Sequence, residues 1–263
     1  MQERLLITSE KRQTTRRHVR CILTGDDYQI VLVDTPGFHQ PKNKLGEFMV
    51  KEIYAAIDNS DVILFVLDAT KPDFDFFLEY PSGKPVLLVL NKVDLLPPQA
   101  TAELTDRFTK DDRFSSVLAV SSYVRRDLEQ VVQEIINQLP EGDFLYPEDQ
   151  LMDCDYRFLA AELIREQALL QLNEEVPHGI AVEIIDFAED DDQATISANL
   201  IVERESHKGI VIGRGGSMLG KIGREARLEI QNLLAKTTHL QLWVKVRKNW
   251  RKDPNQVKWL GYK

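Results

Sequence analysis

The sequence has few of the residues that build covalent or metal-bound frameworks. It contains two cysteines, Cys21 and Cys154, without a C-x-x-C spacing, and five histidines without an H-x-x-H-type pair. Lone thiols are typical of reduced packing residues, so neither a disulfide scaffold nor a zinc site is expected to organise the fold. No apolar run approaches the ~18 residues of a membrane span, and the N-terminus lacks the apolar core of a signal peptide.

The composition that remains is that of a globular protein with two domains. Apolar residues make up 43% and charged residues 29% of the 263 residues, and this length exceeds a typical domain of ~150 residues. The net charge of −9 is unevenly distributed: Arg204 to Lys263 hold 14 Lys and Arg against four acids, a balance of +10 that leaves −19 elsewhere. A basic end on an acidic chain predicts a polyanionic partner.

Three continuous apolar runs in the first half of the chain end in polar turns. Such runs are typical of buried parallel strands, and ligands bind at the carboxyl ends of these strands. Because helical periodicity alternates with the runs, we predict an α/β fold with a doubly wound, mostly parallel sheet. The strand ends are Asp34-Thr35-Pro36-Gly37-Phe38, Asn91-Lys92-Val93-Asp94 and Ser121-Ser122.

The second of these turns, N-K-x-D, is a specific guanine reader. A carboxylate at Asp94 can accept two hydrogen bonds from the N1–H and exocyclic amine of guanine. Adenine lacks this donor pair and would leave a desolvated carboxylate unpaired, at a cost of about 1–3 kcal/mol. Asn91 would support the base edge, and the Lys92 stem would lie along the face of the base.

The second half of the chain predicts a different fold around a G-x-x-G turn. The predicted elements follow the order α-β-β-α-α-β. They are helix Asp155–Leu172, strands Ile180–Phe187 and Ala194–Glu203, an apolar run into the turn, a helix to Leu234 and strand Gln241–Arg247. This order matches the type 2 KH fold, an α+β domain whose G-x-x-G backbone contacts about four nucleotides. The residues expected to contact RNA are Gly213, Arg214, Gly215, Gly216 and Lys221. The three tryptophans, Trp243, Trp250 and Trp259, are interpreted as core or cap residues.

Together, D-T-P-G, N-K-V-D, S-S and a C-terminal KH domain resemble the Era family of bacterial ribosome-assembly GTPases. The resemblance extends from Ile7 to Tyr262. It implies GTP or GDP and Mg²⁺ as ligands, with GTP contacts at Asp34–Phe38, Asn91–Asp94, Ser121 and Ser122. It also implies that Arg12-Gln13-Thr14-Thr15-Arg16 is the first switch, a mobile basic loop in which Thr14 or Thr15 binds Mg²⁺ together with Asp34.

The family's phosphate-binding loop is not found. None of the 263 residues forms G-x-x-x-x-G-K-[ST], the loop that holds nucleotide phosphates. We therefore expect a G domain that lacks its first strand and P-loop at 1–140, a linker at 141–152, and the KH domain at 153–263. Loss of a central strand would split the sheet and expose two strand edges. Phe38 occupies the position of the water-positioning glutamine of Ras-like enzymes, so hydrolysis should be slow, and no residue is identified as catalytic.

The resemblance implies a factor that hydrolyses GTP, binds small-subunit ribosomal RNA and the 30S subunit precursor, and acts in 30S assembly. The alternative is an RNA-binding KH protein with a nucleotide-free, non-functional G domain, for which GTPase activity is absent. A tRNA-modification or tandem-domain GTPase is disfavoured by the terminal G-x-x-G. By resemblance the protein is a cytoplasmic monomer, with peripheral contact at the inner membrane as a further expectation.

Overall fold

The computed structural model describes residues 6–7, 14–38, 40–72 and 83–262. The predicted helix Asp73–Leu78 and most of the segment Met1–Ser9 lie outside the described residues. The chain forms two compact units. One comprises Met1–Ile22, Val31–Ile53 and Gln150–Lys263, and the other comprises Leu23–Ile30 and Tyr54–Asp149.

A parallel sheet forms the centre of the second unit. Strands β3 (Ile63–Asp68), β4 (Val86–Asn91) and β5 (Ser116–Ala119) are parallel, with Leu64 opposite Leu87 and Leu88 opposite Val117. Helices α2 (Pro98–Thr109) and α3 (Arg125–Gln138) contribute Phe108 and Val131 to its apolar clusters. The central strand β4 is buried along Leu87–Leu90, and its parallel pairing with β3 and β5 confirms the predicted parallel sheet.

A second sheet joins the remaining strands of the first half. The hairpin β1 (Val19–Thr24) and β2 (Gln29–Asp34) pairs with β6 (Met152–Asp153), in the order β2-β1-β6. In the described part of the chain this sheet is separate from β3-β4-β5, and β2 and β3 are edge strands. The expected split of the sheet is therefore confirmed. Helix α1 (Lys44–Asp58) follows the turn at the end of β2.

The C-terminal part of the first unit has the predicted α-β-β-α-α-β order. Its sheet β7-β8-β9 pairs β7 with β8 antiparallel and β8 with β9 parallel. Residues from α4, β8 and α6 form one continuous apolar core, including Ile164, Ile196 and Ile230. The elements are α4 (Tyr156–Gln171), β7 (Ala181–Glu189), β8 (Gln193–Val202), α5 (Glu205–Ile212), α6 (Ser217–Leu234), β9 (Thr237–Val246) and the terminal α7 (Pro254–Trp259).

The first unit also contains a smaller apolar cluster that the sequence pattern did not indicate. Leu45, Phe48 and Met49 of α1 pack against residues of the KH region. The KH side of this cluster consists of Ala181, Ile201, Trp250, Val257 and Tyr262. The segment that follows Asp34 is thus part of the same compact unit as the KH fold. None of the helices in the described ranges is long and apolar enough to cross a membrane.

Candidate functional site

Asp34 and Thr15 form a polar pair at the end of β2. The Thr15 hydroxyl donates to Asp34 Oδ2 at 3.0 Å, across a sequence separation of 19 residues. Burial raises the pKa of Asp34, while hydrogen bonds from the Thr15 hydroxyl and the Thr35 backbone N–H lower it and only partly offset the burial. Both of these hydrogen-bond donors are neutral, so they do not cancel the negative charge of the Asp34 carboxylate. A bound cation would compensate this charge.

The donor set at this pair fits a hard divalent cation. Mg²⁺ prefers oxygen ligands and is bound in nucleotide sites by hydroxyl and carboxylate groups. A cavity of about 300 Å³ adjoins the two side chains, with Phe158 and Leu163 of α4 and Leu233 of α6 in its walls. Thr14 is held differently, because its carbonyl oxygen accepts a hydrogen bond from Arg165 Nη2. The structure thus places the Thr15 hydroxyl next to Asp34. Of the two threonines, Thr15 is therefore the stronger candidate for binding Mg²⁺.

The remaining residues of the D-T-P-G-F turn follow the end of strand β2. Pro36 is buried, Gly37 is exposed and Phe38 is half-buried. Each of these residues lies in irregular backbone between β2 and α1. Their predicted contacts with GTP remain predictions.

Asn91 links the two guanine-reading turns of the second unit. Its Oδ1 atom accepts from the backbone N–H of Lys92 at 2.8 Å and from that of Ser122 at 3.0 Å. The backbone N–H of Val93 also donates to the Val120 carbonyl at 3.3 Å. The ends of β4 and β5 therefore form one bonded loop cluster, as parallel neighbours in a sheet permit.

Two acids support this loop cluster in ways that the motif did not predict. The Asp127 carboxylate accepts from the Ser121 backbone N–H at 2.8 Å, which fixes the buried Ser121. Asp68, at the end of β3, accepts from Lys92 Nζ at 2.7 Å. This ammonium group lowers the pKa of Asp68 to about 2. Asp68 is the last residue of β3, so a search for carboxylates at all strand ends finds it, whereas Asp127 lies in the first turn of α3.

Lys92 and Asp94 carry the side chains that are predicted to contact the base. Lys92 adopts the left-handed conformation at φ 66°, which turns the chain sharply into the helical turn Val93–Leu95. Its ammonium group contacts Asp68, and the contact of its stem with the base remains a prediction. The Asp94 carboxylate is exposed. A solvent-facing acid directly after a buried strand is the arrangement that the guanine prediction requires.

The G-x-x-G turn is an exposed loop built on unusual backbone. Gly213, Gly215 and Gly216 have φ of 73°, 60° and 81°, which L side chains rarely adopt. A Cβ atom on Gly213 would lie 2.7 Å from Met218 Cβ and 2.8 Å from Met218 N, so the turn packs directly on the start of α6. Arg214 and Lys221 are exposed beside it. Exposed glycines and cations at a helix N-terminus suit a phosphate backbone.

Two expectations from the sequence differ from the structure. In the described part of the predicted mobile basic loop, Thr14 to Arg16, the Arg16 side chain is only 2% exposed. Of the three tryptophans predicted as core or cap, Trp250 is fully buried, whereas Trp243 and Trp259 are 46% and 50% exposed. Trp259 instead lies under the Arg247 guanidinium, 3.6 Å from the ring centroid. Nothing in the spacing of these residues distinguishes buried from exposed positions.

The chain is similar to known proteins over its full length. Residues 175–251 match the KH domain family, and residues 1–92 match the family described as 50S ribosome-binding GTPase. GTPase Era of Clostridium botulinum (strain Alaska E43 / Type E3) is 43% identical over 272 residues, covering 100% of this chain and 91% of the relative. GTPase Era of Clostridium perfringens (strain 13 / Type A) is 42% identical, with the same coverage.

Two solved structures are also similar. Era in complex with MgGDPNP and nucleotides 1506–1542 of 16S ribosomal RNA has a TM-score of 0.93 and 36% identity, covering 98% of this chain and 90% of that chain. An Aquifex aeolicus Era variant bound to GDP and aluminium fluoride has a TM-score of 0.92 and 37% identity, with the same coverage.

The two sheets, the bonded guanine-reading loops and the G-x-x-G domain define a GTPase-type protein with a C-terminal type 2 KH domain. Relatives above 40% identity cover every residue of the chain and most of their own length. The chain belongs to the Era GTPase family.

Proposed function

We propose that this chain is an Era-like factor that binds and hydrolyses GTP, binds small-subunit (16S) ribosomal RNA through its KH domain, and acts in assembly of the 30S subunit. One observation carries the proposal: the chain combines a built guanine-reading cluster around Asn91 with a built G-x-x-G turn at Gly213. The solved Era complex with MgGDPNP and 16S ribosomal RNA supports it.

The nucleotide side of the proposal assigns roles to four groups. Asp94 accepts the N1–H and amine of guanine, and Asn91 holds the loop that carries Ser122 against the base. Thr15 and Asp34 hold the metal, Asp34 through water. When bound, Mg²⁺ neutralises charge on the phosphates. Because Phe38 cannot orient water, hydrolysis is slow.

The RNA side assigns the sugar-phosphate contacts to the G-x-x-G turn. The positive φ of Gly215 and the open space around it allow a phosphate to approach the backbone. Arg214 and Lys221 add positive charge at the same place. Stacking of a base on Trp243 would use an exposed ring on the strand that ends the KH fold.

A charge-reversal experiment tests the RNA assignment. The double variant Arg214→Asp/Gly215→Asp puts two carboxylates into the turn, and its affinity for a single-stranded fragment of the 3′ end of small-subunit ribosomal RNA should fall by about tenfold or more at low salt. Fluorescence anisotropy across a salt series measures it, and the slope should become shallower than in wild type.

The matched control is Arg126→Asp/Gly142→Asp. It makes the same change in charge at exposed positions outside the KH fold, where a Cβ on Gly142 meets nothing within 4 Å. The control should bind RNA like wild type. Equal affinities for all three folded proteins, checked by circular dichroism, would remove the G-x-x-G turn from the RNA site.

The alternative function is an RNA-binding KH protein with a nucleotide-free G domain. It makes the same RNA prediction and differs in nucleotide binding. That the protein is a cytoplasmic monomer with peripheral contact at the inner membrane belongs to the main proposal and rests on the family resemblance.

A further inference from the structure

Arg16, the residue next to the candidate metal-binding threonine, lies in a socket made by the KH region. Its Nη1 atom donates to the Ile180 carbonyl at 2.6 Å and to Tyr262 Oη at 3.3 Å, and its Nη2 atom donates to the His178 carbonyl at 3.1 Å. The guanidinium carbon lies 5.8 Å from the centroid of the Trp250 ring. The planar guanidinium group of arginine can donate to two carbonyl oxygens that are two residues apart, whereas the single ammonium group of a lysine cannot.

The Arg16 side chain is buried. Among the described residues no acid lies within ion-pair distance of Arg16, and its Nε atom has no hydrogen-bond partner. Its charge is met by two carbonyl oxygens, a phenol and the face of an indole. An apolar residue of similar volume is often neutral or better for stability, so stability alone does not account for this buried guanidinium.

A second arginine holds the same segment from the other side. Arg165 of α4 donates through Nη2 to the Thr14 carbonyl and is oriented by Glu162, which accepts from Arg165 Nε at 2.8 Å. Thr15 is therefore flanked by two residues, Thr14 and Arg16, that are both fastened to the KH region. Because consecutive Cα atoms are ~3.8 Å apart, Thr15 can leave Asp34 by only a few ångströms while both contacts persist.

We propose that Arg16 is a positioning residue that tethers the switch threonine, so that the Thr15–Asp34 hydrogen bond is held in place by the KH region. The role of Thr15 at the metal rests on the proposed function; the tether itself is a property of the folded chain. Tyr262 also packs on Phe48 of α1, at a ring-centroid distance of 5.7 Å. Arg16, before the D-T-P-G turn, and Phe48, after it, thus both contact Tyr262.

The test distinguishes two roles of Arg16: restraining the backbone at Thr15, and filling the space beside Trp250. In Arg16→Ala the backbone amide of Thr15 should become mobile, with its order parameter falling from about 0.85 to below about 0.6. Trp250, the one fully buried tryptophan, should show red-shifted emission as water enters the socket. Ethylguanidinium added at millimolar concentration should refill the socket and restore the Trp250 emission. It should leave Thr15 mobile, because the refilled group is no longer bonded to the chain.

Arg20→Ala is the control, since this exposed arginine on β1 pairs with Asp153 at 3.1 Å and lies four residues from Arg16. It should leave both signals unchanged. Arg16→Lys serves if the alanine variant does not fold: it should retain the fold and give an intermediate Thr15 order parameter. Recovery of Thr15 rigidity by ethylguanidinium, or a rigid Thr15 in the folded Arg16 variants, would overturn the tether. Neither result depends on nucleotide or RNA, so failure here leaves the proposed function untouched.

Discussion

At the scale of single residues, Asp34 carries a half-buried charge that opposes stability. Burial raises the pKa of its carboxyl above the ordinary value. In the pH range between the unfolded and folded pKa values, the unfolded chain binds fewer protons than the folded chain, so stability falls as pH rises. At neutral pH the full penalty of a buried charge is present, unless a cation compensates it.

We therefore predict that Asp34→Asn raises the free energy of unfolding of the metal-free chain at pH 7. The amide has a similar shape and carries no charge. At pH 3.5, where the wild-type carboxyl is largely protonated in both states, the two proteins should be equally stable. Urea unfolding at the two pH values measures the difference. A less stable Asn variant at pH 7 would contradict the account of Asp34.

Base selection is a second prediction at this scale. Asp94→Asn replaces one carboxylate oxygen with a donor, so the variant should lose its preference for guanosine and prefer xanthosine, whose edge offers the complementary acceptor. Saturation-transfer NMR with the nucleosides at millimolar concentration measures this without phosphate contacts. The exposed position of Asp94 means that the fold should be unaffected. Unchanged preference would remove Asp94 from the base site.

At the scale of elements, the turn between α5 and α6 depends on which glycine is replaced. Gly213 and Gly216 both have positive φ, but only Gly213 lacks room for a Cβ atom. Backbone strain alone costs about 1–3 kcal/mol at such positions. A clash with Met218 backbone adds to it at Gly213, because the backbone of α6 would have to move.

The prediction is that Gly213→Ala destabilises the KH fold by about 2–4 kcal/mol, more than Gly216→Ala, which carries strain alone. Thermal or urea unfolding of the two single variants gives the comparison, and each serves as the control for the other. If Gly216→Ala proves the more damaging, the packing of Gly213 on Met218 is not what shapes the turn.

At the scale of the whole molecule, strands β1 to β6 lie in two three-stranded sheets in the part of the chain that the structure describes. The described residues also provide the Thr15–Asp34 pair and the bonded loops around Asn91, for which we predict guanine recognition. The loop that supplies most contacts to nucleotide phosphates is not among the 263 residues.

We accordingly predict that the chain of 263 residues binds GTP weakly, with a dissociation constant well above the micromolar range. Titration of a fluorescent GTP analogue with and without Mg²⁺ measures it, and Asp94→Asn identifies any signal that arises from the base site. Submicromolar, Mg²⁺-dependent binding would show that other residues replace the phosphate loop.

The KH region should fold by itself. A fragment of residues 155–263 contains the whole of the main apolar core, and its sheet takes no strand from elsewhere. The fragment would, however, expose the patch around Trp250 and Tyr262 that α1 covers. We expect it to fold and to bind single-stranded RNA with steep salt dependence. An unfolded fragment would make α1 essential to the KH fold.

The sequence by itself determined the elements and the motifs. Apolar runs that stop at Asp34, Asn91 and Ser121 predicted strand ends because local polarity changes abruptly there, and the G-x-x-G turn at Gly213 followed from the backbone that only glycine adopts. The order of strands and helices then predicted both folds. Period and turn chemistry are local properties, so they can be read without knowing what packs against them.

The tertiary structure alone decided which residues meet. It chose Thr15 over Thr14 at Asp34, placed the Lys92 ammonium on Asp68, and buried Arg16, which in sequence is one cation in a basic loop. These contacts join residues 19 to 246 positions apart. No local pattern encodes them, because a guanidinium is buried or exposed according to the carbonyls and rings that distant parts of the chain bring to it.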